Sequence, residues 1–211
     1  TTGANNTGMG RSALGANTTG TRNTAVGKDT LKTNTDGNYN TAIGYQALEF
    51  NIGNTNTAVG DQALELNTSG SGNSALGDDA LFSNTTASNN TAVGSSALAY
   101  NTTASNNTAV GYSALTANTT GTANTAIGKN ATPLSTTASS NTAIGVDAGY
   151  KVTTGSGNTF LGRHAGYYSG TSVSAGITTG SNNSYIGYNS YPTAATVSNE
   201  FTLGNASVTN L

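Results

Sequence analysis

Asn90-Thr91-Ala92-Val93-Gly94-Ser95-Ser96-Ala97-Leu98 returns seventeen residues later as Asn107-Thr108-Ala109-Val110-Gly111-Tyr112-Ser113-Ala114-Leu115. The same phrase runs through the whole chain. Its glycines are Gly10, Gly27, Gly44, Gly60, Gly77, Gly94, Gly111, Gly128, Gly145, Gly162, Gly187 and Gly204. Successive glycines stand 17 residues apart, except for one interval of 16 (Gly44 to Gly60) and one of 25 (Gly162 to Gly187). A short fixed period over the full length marks a solenoid, in which each coil is too small to bury a core alone and is stabilised by its neighbours. The expectation is a single repeat domain over residues 1–211, of about twelve coils.

Counting the Asn of each phrase as position 1, position 4 is apolar in every unit, from Met9 through Val93 to Leu203. Position 3 is Ala in eight units, Ala25 to Ala143, and then Phe160 and Tyr185. Position 8 is Ala in nine units, and position 9 is Leu in the first seven, Leu14 to Leu115. Short apolar clusters of Val, Ile and Thr bounded by Asn and Gly read as strands. The fold class is therefore all-β, a β-solenoid (parallel β-roll) of 17-residue coils. Gly at position 5 is the structural corner, where the backbone takes positive φ or neighbouring coils approach closely. At about 4.8 Å per rung, twelve coils make a rod of roughly 55–60 Å. Stacking also places the Asn of positions 1 and 12 in side-chain ladders at the corners.

Adjacent strand residues point to opposite faces. Positions 3 and 4 are both apolar, so the strand is expected to be buried on both sides. The reading places the position-4 column (Val93 and its equivalents) in the coil interior. It turns the small position-3 column (Ala92 and its equivalents) toward a second body, with three chains around an axis as the natural closed arrangement.

Composition narrows the function. Charged residues are 8% of the chain and the net charge is −2, so no basic stripe exists for nucleic acid. Cysteine is absent, which removes disulfides and thiolate metal sites. No apolar run approaches the ~18 residues of a membrane span. His164 stands at variable position 7 without a recurring Ser and carboxylate partner, and no catalytic residue is expected. Asp78-Asp79 supply too few oxygens for a calcium site. No Gly-x-Gly-x-x-Gly opens a helix, so no cofactor is expected.

Variation concentrates at positions 6, 10 and 11, where a uniform frame carries changing side chains such as Lys28, Tyr45, Phe82 and Tyr100. Six of ten tyrosines lie late: Tyr150, Tyr167, Tyr168, Tyr185, Tyr188 and Tyr191. Beside them the 25-residue unit carries eight extra residues within 167–178. Insertions in solenoids become loops on one face, and Tyr suits stacking on sugars or gripping a protein. These six are the candidate receptor contacts. The competing reading is that they widen the core or cap the rod.

Ala-Val-Gly followed by x-x-Ala-Leu, as in residues 107–115, resembles the head repeats of trimeric autotransporter adhesins and, more closely, the repeats of bacteriophage tail fibres. Asn199-Glu200-Phe201-Thr202-Leu203-Gly204 resembles the stretch that precedes a self-cleaving chaperone domain in such fibres. The resemblance spans essentially the whole chain and departs in its period, which is longer than that of the adhesin heads. It implies a homotrimeric segment of a longer fibre on a virion tail or cell surface, binding a cell-surface glycan or outer-membrane component without entering the membrane. An ice-binding β-solenoid is the alternative, since Thr recurs at position 2 (Thr24, Thr41, Thr91, Thr108).

Overall fold

The computed structural model describes residues 2–167, 177–205 and 207. Twelve three-residue strands follow one another: β1 Thr7–Met9, β2 Thr24–Val26, β3 Thr41–Ile43, β4 Thr57–Val59, β5 Ser74–Leu76, β6 Thr91–Val93, β7 Thr108–Val110, β8 Thr125–Ile127, β9 Thr142–Ile144, β10 Thr159–Leu161, β11 Ser184–Ile186 and β12 Phe201–Leu203. They form one parallel sheet in sequential order, a β-solenoid of about eleven turns. Register is kept throughout. Thr41 pairs with Thr57 across the 16-residue unit, and Thr159 pairs with Ser184 across the 25-residue one.

The corner glycines meet both conditions expected of them. Gly94 sits at φ 129°, and a Cβ there would lie 2.6 Å from the carbonyl oxygen of Gly111 in the next coil. A side chain is refused by the backbone conformation and by the stacking distance alike.

The Asn ladders are present, and their wiring is more specific than amide on amide. At position 1 each side-chain oxygen accepts from the backbone N–H of position 1 in the next coil, as from Asn107 N to Asn90 Oδ1 at 2.9 Å and from Glu200 N to Asn183 Oδ1 at 2.8 Å. Its Nδ2 donates to the position-15 carbonyl of its own coil, as from Asn90 to Ala104 O at 2.9 Å. At position 12 amides do bond amides: Asn101 Nδ2 donates to Asn84 Oδ1, and Asn118 Nδ2 to Asn101 Oδ1, both at 2.9 Å. Breaks fall where the repeat changes. Asn118 Oδ1 is buried without a partner because position 12 of the next coil is Ser135. Asn34 Oδ1 is likewise unpartnered, beside the coil that is one residue short, where Asn51 Nδ2 turns to Gly53 O at 2.9 Å.

The two strand faces are the reverse of the expectation. Ala25, Ala42, Ala58, Ala92, Ala109, Ala126 and Ala143 are 0% exposed within the single chain, packed in one core with the position-8 alanines and position-9 leucines. Position 4 points outward: Met9 is 64% exposed, Leu76 51% and Ile43 40%. The reason lies in position 9. Leu31, Leu48, Leu64, Leu81, Leu98 and Leu115 are all at positive φ and fully or almost fully buried. A left-handed leucine costs about 1–2 kcal/mol, against about 1.5–3 kcal/mol for burying its side chain. It occupies the thin interior and leaves room for only a methyl group across from it. Where position 3 becomes Phe160, the leucines are gone: position 9 is Gly149 in the preceding coil and Gly166 in its own. A Cβ on Gly149 would lie 2.9 Å from Phe160 Cδ2 and would be closer still on Gly166.

Candidate functional site

Past the glycine corner, side chains of positions 6, 7, 10 and 11 gather on one face of the coil, as where Gln62 bonds Glu65 and Lys28 lies over Tyr45. In the coils starting at Asn141, Asn158 and Asn183 this face becomes an aromatic patch. Tyr150 and Tyr167 meet edge to face with ring centroids 5.5 Å apart, and His164 meets Tyr167 in the same way at 5.5 Å. His164 also stacks toward Tyr188 at 6.3 Å. Lys151 Nζ lies 5.8 Å from the centre of the Tyr150 ring, and the Arg163 guanidinium 5.9 Å from that of Tyr188. Tyr188 is 54% exposed, and Tyr150 and Tyr167 are half-buried.

Under the rings runs a polar column at position 7. Asn130 Nδ2 donates to Asp147 Oδ1 at 3.1 Å, His164 Nε2 lies 3.3 Å from Asp147 Oδ2, and His164 Nδ1 lies 3.1 Å from Asn189 Oδ1. Both imidazole nitrogens face oxygens, which fixes the ring that Tyr167 and Tyr188 lean on. In the sequence His164 stands as an isolated residue at a variable position. The signal that would have found the column is that Asn130, Asp147, His164 and Asn189 share position 7 in consecutive coils.

Of the six tyrosines expected to contact a receptor, the structure brings Tyr150, Tyr167 and Tyr188 together. Tyr185 does not belong with them. It is 0% exposed, stacked on Phe160 at 5.7 Å and 9°, and its hydroxyl donates to Glu200 Oε2 at 2.6 Å. Burial, reinforced by the Glu200 carboxylate, raises its pKa far above the phenolic range. It is a core residue, because position 3 faces inward. Tyr191 is half-buried, with its carbonyl 3.5 Å from Thr202 Oγ1. Tyr168 and residues 168–176 of the insertion lie outside the described residues. The chain is back on the coil at Ile177, whose N–H donates to Gly166 O at 3.2 Å.

A second exposed feature is the outer face of the sheet itself. Thr at position 2 and Val or Ile at position 4 lie on the same side, with Ala between them inside, as in the half-exposed, buried, half-exposed pattern of β2, β6 and β7. Two columns run along the rod, one of hydroxyls from Thr7 to Ser184 and one of apolar groups from Met9 to Leu203.

Ion pairs gather at the other end. Lys32 Nζ bonds Glu49 Oε1 at 2.8 Å, and Lys28, Lys32 and Arg11 lie within 3.8 Å of the Asp29 carboxylate. Burial works to raise the Asp29 pKa, but Lys32, Lys28 and Arg11 together hold it below its ordinary value. Among the described residues, no three His, Asp or Glu side chains converge as metal ligands would. No protein-family model, no curated protein and no solved structure matches the chain.

Proposed function

We propose that this chain is a non-catalytic segment of a surface fibre for host-cell attachment, of the phage tail-fibre or bacterial adhesin kind, assembled from three parallel copies. The observation that carries the reading is the outward aliphatic column from Met9 to Leu203. An apolar stripe running along the whole sheet is larger than a soluble single chain ordinarily leaves bare. Copies of the same stripe, backed by threonines that approach closely, are its natural cover. A three-chain rod would present three sets of the Tyr150–Tyr167–Tyr188 patch, so that weak contacts to a cell-surface glycan or outer-membrane component act together.

Sedimentation equilibrium of the purified chain tests the assembly: a mass three times that of the chain is expected, and a monomer at micromolar concentration overturns it. Recognition is tested separately. Replacing Tyr150 and Tyr188 by Ala should leave the mass unchanged and reduce attachment to cells that bind the parent fibre. Undiminished attachment moves the recognition site elsewhere.

One observation favours a second reading, an ice-binding solenoid. The threonine and aliphatic columns share one outward face and repeat about every 4.8 Å. A chain that stays monomeric and arrests ice-crystal growth would establish it, and loss of that activity in Thr91→Lys would place it on this face.

A further inference from the structure

A groove of about 500 Å³ opens midway along the rod, lined by Asp79, Phe82, Ser96, Tyr100, Ser113 and neighbouring side chains. Its origin can be read coil by coil. In three other coils the position-7 and position-10 side chains close on one another: Gln46 bonds Glu49, Gln62 bonds Glu65 at 2.7 Å, and His164 packs on Tyr167. In the two coils that start at Asn90 and Asn107 the same positions hold Ser96 with Ala99 and Ser113 with Thr116. These short side chains leave the space between the columns open. Phe82 and Tyr100, the latter 60% exposed, line the same space.

We infer that this groove is a binding site for a neutral oligosaccharide, lying along the rod with ring faces against Phe82 and Tyr100. Sugar rings carry apolar C–H faces and a rim of hydroxyls, and the groove offers a counterpart to each. The aromatic rings supply the apolar surface. The Ser96, Ser113 and Thr116 hydroxyls and the Asp79 carboxylate supply hydrogen-bond partners. Rungs advance about 4.8 Å, close to one sugar ring, so successive coils can meet successive sugars.

The charges decide which sugars. No Lys or Arg occurs between Lys32 and Lys129, whereas Asp61, Glu65, Asp78 and Asp79 lie in that stretch. Burial, then repulsion from Asp78 and Asp61, raises the pKa of Asp79, as expected where no cation offsets the carboxylates. An acidic saccharide would be repelled, and a neutral one accepted. A peptide is a poorer occupant, because the groove is lined by side chains and presents no open strand edge. The site stands apart from the tyrosine patch and past the corner from the aliphatic face, so it does not depend on chain association.

The test is titration of the full chain, followed by saturation-transfer NMR, with neutral hexasaccharides built on glucose, galactose or N-acetylglucosamine. Sialylated and uronate-containing oligosaccharides of equal length serve as the acidic arm. Saturable binding of at least one neutral series is expected, with none or far weaker binding of the acidic ones. Tyr100→Ala removes an exposed ring and should weaken binding about tenfold, the loss of one aromatic contact. Ser96→Gln with Ala99→Glu reproduces the Gln62–Glu65 pair already folded two coils away, fills the groove, and should abolish binding while the far-ultraviolet spectrum is unchanged. Binding of no neutral series, preference for the acidic arm, or a filled variant that binds like the parent would each overturn the assignment.

Discussion

At the residue scale, the solenoid is held by groups whose partners sit one coil away, so a small change there should cost as much as a large one elsewhere. Asn101 is fully buried, donates to Asn84 Oδ1 and Ala104 O, and accepts from Asn118 Nδ2. Asn101→Ala would leave Asn84 Oδ1 without a donor, while Asn118 Nδ2 keeps Gly121 O, and is expected to cost about 1–3 kcal/mol, the cost of a buried polar group left unpaired; urea unfolding measures it. Conversely, Ser135→Asn would give the unpartnered Asn118 Oδ1 a donor and should gain about 1 kcal/mol. Acid titration offers another check. Burial raises the pKa of Glu65 and Asp79, with nearby carboxylates adding to the effect. A carboxyl whose folded pKa exceeds its unfolded one binds its proton more tightly when folded. Its contribution to stability is complete below the ordinary values of 4.5 and 3.8 and is lost as pH rises through the folded ones. Asp79→Asn should therefore raise the urea midpoint at pH 7 and reduce the gain on acidifying to pH 4; a lower midpoint at pH 7 would contradict this. The Asn and Gly columns were legible in the sequence because their period is plain. The left-handed leucines were not, since nothing in local propensity favours that conformation for Leu and only the coil's closure selects it.

At the element scale, the unit of structure is the whole coil. Deleting residues 90–106 joins position 17 to position 1 and should give a folded rod one coil shorter, whereas deleting residues 90–97 alone would move polar residues onto the core and break every ladder there. Equal losses of thermal stability in the two variants would argue against stacked coils. The tolerance has precedent in the chain, which absorbs a 16-residue unit and a 25-residue unit without loss of strand register. Strands, corners and sheet order followed from apolar pairs and glycine spacing. The orientation of the strand did not, because Ala and Val alternate in both readings and only the inward leucine decides between them. That argument makes a prediction of its own. Ala92→Phe should destabilise the coil by about 1–3 kcal/mol through overpacking. Adding Leu81→Gly and Leu98→Gly, the arrangement around Phe160, should recover part of it. Failure of the glycines to help would mean that Phe160 is accommodated by something other than volume exchange.

At the scale of the whole molecule, the reversed faces separate folding from association. With alanine and leucine inside, a single chain already owns its core, and the column at position 4 is left for the proposed assembly. Val93 and Val110 lie on neighbouring rungs, half-buried on the outer face. Covered by a partner, each contributes roughly 1.5–3 kcal/mol. A carboxylate in the same place would have to be desolvated without a counter-charge, at a cost of several kcal/mol per chain. Val93→Asp with Val110→Asp should therefore leave the β-sheet spectrum of the chain intact and shift its sedimentation mass from three chains to one. Had position 4 been interior, the same pair would abolish the folded spectrum outright. A folded variant that still sediments as three chains would place the association surface on another face of the rod. A parent that is already monomeric would leave the threonine and aliphatic columns open to ice, and Thr91→Lys would then be the informative substitution. The two assays read different quantities, secondary structure and mass, so each of these outcomes can be told from the others.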